Sequence, residues 1–76
     1  MDNGILSRIP GEHVARALDT LSDPAGYETY ERTVTEIEVP SIGKIQFTCV
    51  CLKMRKGKSA RKYWVAERAE LVYQRG

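Results

Sequence analysis

The sequence contains little histidine and cysteine, two residue types that are common in catalytic and metal-binding sites. It has one histidine, His13, and two cysteines, Cys49 and Cys51, among 76 residues. A structural zinc site needs four ligands, and His13 is distant from the cysteines in the sequence. The neighbouring Glu12 does not make His13 a preformed proton relay, because consecutive helical residues do not face each other. We therefore expect no metal, no cofactor and no enzymatic activity.

Long apolar runs are also absent. No stretch approaches the roughly 18 apolar residues that span a membrane, and residues 1–5 lack the basic and apolar segments of a secretory signal. If Cys49 and Cys51 lie on one strand, they are about 6.5 Å apart on the same face, which is a poor geometry for a disulfide. Two free thiols fit a reducing compartment. We expect a cytoplasmic protein without membrane contact.

The chain is long enough for a single domain, residues 1–76. A domain of this size buries only roughly 60% of the surface that it exposes when unfolded, so small folds usually need a disulfide, a metal or a second subunit. Residues 1–8 are predicted to form a loose N-terminal arm. Its apolar residues Ile5 and Leu6, with Ile9, are able to fold back on the core.

A helix is predicted over residues 11–22. Pro10 suits the first turn, where its missing N–H would have no partner in any case, and Asp23 ends the helix because a residue before proline avoids helical angles. The apolar side chains that recur at helical spacing are Val14, Ala17, Leu18 and Leu21.

Two strands follow, over residues 29–39 and 44–54. In the first, apolar and β-branched residues alternate with Glu36 and Glu38, the pattern of a half-buried strand. In the second, one face is apolar throughout and the other becomes apolar toward its end, which indicates a central or partly covered strand. The face that is apolar throughout holds Ile45, Phe47, Cys49 and Cys51, and free cysteines are common as small core residues.

Residues 62–74 are ambiguous. Tyr63, Trp64 and Val65 favour a strand, whereas residues 66–71 are good helix formers. We favour a strand, because a third strand gives the sheet enough size to be stable. The predicted class is α+β, with one N-terminal helix packed on a three-stranded antiparallel meander. The alternative is a ββ hairpin with helices at both ends of the chain.

Charge is distributed unevenly. Residues 1–43 carry a net charge of −5 and residues 44–76 carry +7, so the folded molecule is expected to have an acidic and a basic side. The strongest local feature is residues 53–62, which include six basic residues and no acidic one. Within it, residues 55–61 contain Gly57 and Ser59 and are predicted to form the hairpin loop.

This basic hairpin, next to two aromatic residues, suggests a small nucleic-acid-binding accessory protein. Cations on a hairpin are able to contact phosphates, and an adjacent ring is able to stack on a base. The candidate residues are Lys53, Arg55, Lys56, Lys58, Arg61, Lys62 and, for stacking, Trp64. The sequence leaves DNA and RNA open. The structural alternative is a solvated turn whose lysines protect the sheet edges.

A second function is a non-enzymatic protein–protein adaptor or inhibitor. It would use the acidic N-terminal half, whose candidate residues are Asp19, Asp23, Glu28, Glu31, Glu36 and Glu38, against a basic partner, or an exposed sheet face. One helix does not cover both faces of a sheet, and tyrosine and tryptophan suit interfaces as well as cores. We therefore expect a homodimer that covers the open face.

Overall fold

A computed structural model describes the backbone of residues 3–56 and 59–73, and their side chains except at 56, 59 and 73. The elements are a 3₁₀ turn (Leu6–Arg8), helix α1 (Gly11–Leu18), a second 3₁₀ turn (Pro24–Gly26), and strands β1 (Arg32–Val39), β2 (Gly43–Lys56) and β3 (Ser59–Tyr73). In this part of the chain, no helix is sufficiently long and apolar to pass through a membrane.

The three strands form one antiparallel sheet in the order β1-β2-β3. This arrangement confirms the α+β class, the meander and the central position of β2. The alternative with a C-terminal helix is wrong, because the segment predicted as ambiguous pairs with β2 as far as Tyr73.

Two irregularities in β3 explain the ambiguity of its sequence. Thr48 pairs with Arg68 while Cys49 pairs with Ala66, which leaves Glu67 as an extra residue in β3. A second register shift separates the partners of Lys44 and Ile45. A bulge of this kind moves the following side chains to the other face. The inward-facing residues Ala66 and Ala69 are consequently three positions apart, a spacing that is typical of one face of a helix.

The core lies on the inner face of the sheet, which we define as the face that carries Phe47. The predicted apolar face of β2 is confirmed, because Ile45, Phe47, Cys49 and Cys51 are all fully buried. Ala17 of α1 is also fully buried and belongs to the same cluster as Phe47. The remaining residues that pack against this cluster include Ile5, Leu6, Val14, Leu18, Leu21, Ile37, Trp64 and Ala66.

Helix α1 ends four residues earlier than predicted, at Leu18. The hydroxyl of Thr20 donates to the carbonyl oxygen of Ala17 at 2.7 Å and lies 2.5 Å from the hydroxyl of Thr35 on β1. A threonine side chain that bonds to the backbone competes with regular helical hydrogen bonding. The end of the helix is thus fixed by a contact with β1 that the local sequence does not reveal.

The first strand also begins later than predicted, at Arg32 rather than at residue 29. Tyr30 has a positive φ of 70°, which is incompatible with regular strand geometry. Its N–H nevertheless donates to the carbonyl oxygen of Cys51 at 2.6 Å, and the N–H of Cys51 donates to Glu31 at 2.8 Å. The segment before β1 is therefore held against β2 by irregular hydrogen bonds.

The N-terminal arm is attached from Asn3 onward, in contrast to the loose arm predicted for residues 1–8. The N–H of Ile5 donates to the carbonyl oxygen of Ala69 at 2.9 Å, and the N–H of Ala69 donates to Asn3 at 3.1 Å. Gly4 forms a parallel bridge with Ala69 between these bonds. The prediction that Ile5, Leu6 and Ile9 fold back on the core is confirmed, and Ile9 is buried.

Candidate nucleic-acid interface

The basic segment lies on a two-stranded ribbon formed by the ends of β2 and β3. The pairing of β1 with β2 stops at the pair Arg32–Val50, whereas β2 and β3 continue to pair from Cys51–Trp64 to Lys56–Ser59. We call residues 51–56 and 59–64 the basic ribbon. At about 3.3 Å per residue it extends roughly 17 Å, and the described part of the molecule measures 50 × 25 × 19 Å.

The hairpin loop predicted over residues 55–61 is wrong in its extent. Arg55 pairs with Ala60 and Lys56 pairs with Ser59, so the strands continue through most of the predicted loop. Regular pairing places side chains alternately on the two faces. Lys53, Arg55 and Arg61 are therefore held on a pleated frame and do not lie in an irregular turn. Lys58, another predicted site residue, lies outside the described residues.

Three of the predicted phosphate contacts have exposed side chains on this ribbon. Lys53 and Arg55 lie on the inner side of the sheet, beyond the core, and Arg61 lies on the outer side. Within the described residues, no hydrogen bond or ion pair involves the charged groups of these three side chains. The backbone of Lys56 forms the last residue of β2.

Most other cations in the described part of the chain have partners. Arg32 forms an ion pair with Glu67 at 2.5 Å, Lys44 lies 3.3 Å from Glu36, and Arg68 lies 2.5 Å from Glu70. Arg16 donates to the backbone carbonyl of Glu38. Lys53, Arg55 and Arg61 thus differ from these four cations, whose charge is offset by neighbouring carboxylates and a carbonyl.

Lys62, predicted as a phosphate contact, has a role inside the fold. Its ammonium group donates to the carbonyl oxygen of Tyr27, and its side chain is half-buried. Lys62 lies directly opposite Lys53 in the ribbon. Like charges at opposite positions destabilise a strand pair, and the carbonyl of Tyr27 compensates one of these two charges.

Trp64, predicted as a stacking residue, is also engaged within the protein. Its ring meets the ring of Tyr27 edge-on, with the centroids 4.8 Å apart and the planes at 72°. Its indole N–H donates to the carbonyl oxygen of Ser22 at 2.8 Å. Trp64 packs against the core at the base of the ribbon, so its ring lies on the inner side while Tyr63 lies on the outer side.

Sequence reasoning missed the ion pair between Arg32 and Glu67, which crosses the outer face from β1 to β3. Val50, the β2 partner of Arg32, is buried although it belongs to the outer face. The bulge at Glu67 brings this carboxylate to Arg32, and no local pattern in the sequence signals a bulge at that point.

The two cysteines lie in the core and are not bonded to each other. The thiol of Cys51 is 3.7 Å from the carbonyl oxygen of Pro24. Burial, together with the charge of Glu67, raises the pKa of Cys49. Among the described residues, no three His, Cys, Asp or Glu side chains cluster as metal ligands would, and Glu12 lies 3.9 Å from His13.

The chain was compared with models of protein families, with curated protein sequences and with solved structures, and none of the three comparisons finds a match.

Proposed function

We propose that the protein binds nucleic acid through the basic ribbon. The observation that supports this function is the set of exposed cations Lys53, Arg55 and Arg61, which have no partner among the described residues and lie on a hairpin that extends past β1. Clustered positive charge without acidic neighbours is compensated when it meets phosphates, and the release of counterions from the nucleic acid drives the association. Lys56 and Lys58 add positive charge to the same segment of the sequence.

The proposal is tested by fluorescence anisotropy on single- and double-stranded DNA and RNA at several salt concentrations. We expect binding that weakens steeply with salt, because the logarithm of the binding constant changes by about 0.9 per phosphate contact for each tenfold change in salt. We call the slope of the logarithm of the binding constant against the logarithm of the salt concentration the salt slope. The combined variant Lys53→Ala, Arg55→Ala and Arg61→Ala should lower its magnitude by the equivalent of about three phosphate contacts.

The matched control is Arg8→Ala. Arg8 is exposed and lies near Ser41 and Ile42, at the end of the sheet opposite the ribbon. This change removes a positive charge without touching the ribbon, so it should leave the salt slope nearly unchanged. No binding of the wild type to any of the four nucleic acids at low salt would refute the proposal.

The adaptor function that relies on the acidic half has less support, because several of its carboxylates are used within the fold. Asp23 accepts a hydrogen bond from the N–H of Ala25 at 2.9 Å, and Glu31 accepts one from the N–H of Glu28 at 2.9 Å. Glu36 is paired with Lys44. The hydrogen bonds thus occupy oxygens of Asp23 and Glu31 within the fold, and Lys44 offsets the charge of Glu36.

Homodimerisation through the open sheet face is a further part of the proposal. Val34 is 54% exposed, and strand alternation places it on the outer face. Burial of an exposed apolar side chain against a second copy is favourable. A second copy that covers the outer face would enlarge the thin core of this small domain.

A further inference from the structure

We infer that the ribbon enters the major groove of a B-form DNA duplex, with each of its faces directed at one of the two phosphate backbones. This inference rests on the proposed function and specifies its ligand. The key observation is the placement of Lys53 and Arg55 on one face of the ribbon and of Arg61 on the other. A ribbon that lies flat on a single backbone would need cations on one face only.

The dimensions of the ribbon agree with those of the groove. Paired strands are about 4.8 Å apart, and the major groove is about 12 Å wide and 8.5 Å deep, which admits a two-stranded ribbon. A backbone of phosphates forms each wall. Long side chains that point away from both faces of an inserted ribbon are directed toward these two walls, so Arg55 and Arg61 would reach different strands of the duplex.

The ribbon also presents a group suited to base edges. Met54 lies directly opposite Arg61, on the same face, and its side chain is half exposed. Apolar contact with the methyl group of thymine is made in the major groove. The ribbon thus places one apolar side chain next to the phosphate contact made by Arg61.

Other nucleic acids fit less well. The major groove of duplex RNA is deep and too narrow for side chains to read. Binding to single strands relies on aromatic rings that stack on bases. Trp64 is held by Ser22 and Tyr27 on the inner side, and Tyr63 on the outer side is half-buried. We therefore expect duplex DNA to bind more tightly than duplex RNA or single strands.

The first test compares three duplexes of one DNA sequence: unmodified, with bulky substituents on the C5 positions of its pyrimidines, and with its minor groove occupied by netropsin. The C5 position faces the major groove, so the substituents block that groove and leave the phosphates accessible. We expect at least a tenfold loss of affinity for the C5-modified duplex and less than a twofold change with netropsin. Equal affinity for modified and unmodified duplexes would overturn the inference.

The second test examines the two faces separately. Arg55→Ala removes a cation from the inner face, and Arg61→Ala removes one from the outer face. Each should lower the salt slope by about one contact, and circular dichroism verifies that both variants keep the fold. An effect of Arg55→Ala alone would mean a ribbon that lies flat on one backbone, which overturns groove insertion.

The outcomes separate this inference from the proposed function on which it rests. Salt-dependent binding that is equally tight for duplex RNA, single strands and duplex DNA refutes insertion into the groove and leaves nucleic-acid binding in place. Absence of binding to all of them refutes both. A preference for duplex DNA that is lost on C5 modification supports both.

Discussion

The indole N–H of Trp64 donates to the carbonyl oxygen of Ser22, which lies 42 residues earlier in the chain. This hydrogen bond connects the base of the basic ribbon with the segment that follows α1. Tyr27 follows the second 3₁₀ turn, and its ring packs against the same indole. Lys62 donates to the carbonyl of Tyr27. The ribbon is therefore anchored on its inner side by two side chains that the sequence suggested as ligand contacts.

We predict that Trp64→Phe lowers stability and leaves DNA binding unchanged. The substitution keeps an aromatic ring but removes the N–H donor, and loss of one hydrogen bond typically costs about 1 kcal/mol. Urea denaturation measures the first effect, and anisotropy well below the melting temperature measures the second. Tyr63→Phe, on the outer face, is the matched control. If Trp64 stacked on a base, Trp64→Ala would instead weaken single-strand binding by about 1–3 kcal/mol.

We predict that Gly4→Ala detaches the N-terminal arm. Gly4 has a φ of +66°, and a Cβ on it would lie 2.0 Å from the carbonyl oxygen of Ala69. The backbone of β3 cannot move away without loss of its own pairing, so the free energy of unfolding should fall by more than about 1 kcal/mol. Hydrogen exchange at the amides of Ile5 and Ala69 should accelerate.

Gly11→Ala is the control for this arm prediction. A Cβ on Gly11 meets no atom within 4 Å, and alanine is a better helix former than glycine by about 1 kcal/mol. This variant should be at least as stable as the wild type. If hydrogen exchange at the Ile5 amide were unchanged in Gly4→Ala, the attachment of the arm would not depend on the close approach of the Gly4 and Ala69 backbones.

The sheet was predictable from the sequence where its alternation is regular. Ile45, Phe47 and Cys49 follow the two-residue period without interruption, and all three are fully buried. The last strand was predictable only by an argument about sheet size, because the bulge at Glu67 interrupts its alternation. A bulge is stabilised by neighbours in other strands, here by Arg32, and local preferences do not contain that information.

The candidate site was predictable in composition more than in geometry. Six cations in residues 53–62 were evident, but the distribution of Lys53, Arg55 and Arg61 over two faces depends on strand pairing that continues past Arg55. The internal roles of Lys62 and Trp64 depend on carbonyl oxygens of Tyr27 and Ser22. Such long-range partners are backbone atoms, which carry no signal in the side-chain sequence.

We predict that Cys49 makes stability fall as the pH rises above about 8.5, the usual pKa of a thiol. Burial, and then the charge of Glu67, raises the pKa of Cys49 in the folded state. Above the unfolded pKa the unfolded thiol loses its proton while the folded one keeps it, so the folded state binds more protons and stability declines with pH.

Comparison of urea denaturation at pH 7.5 and 9.5 for the wild type and Cys49→Ala measures this contribution. Cys49→Ala should be less stable at pH 7.5 because a core contact is lost, but its stability should fall less between the two pH values. Cys51→Ala is the control for titration of lysines and tyrosines in the same range. Identical declines in the wild type and Cys49→Ala would contradict the prediction.

We predict, finally, that the protein forms a homodimer at micromolar concentration and that Val34→Lys dissociates it. Val34 is 54% exposed on the outer face, opposite Thr48 of the central strand. In a two-fold dimer the same surface serves both copies, so one substitution places two charges in the interface.

Tyr30→Lys is the control, since Tyr30 is 69% exposed and precedes β1. Sedimentation should show a dimer for the wild type and Tyr30→Lys, and a monomer of 8.6 kDa for Val34→Lys. A wild type that remains monomeric at high concentration would exclude the dimer, and the outer face would then be open to solvent while the ribbon acts alone.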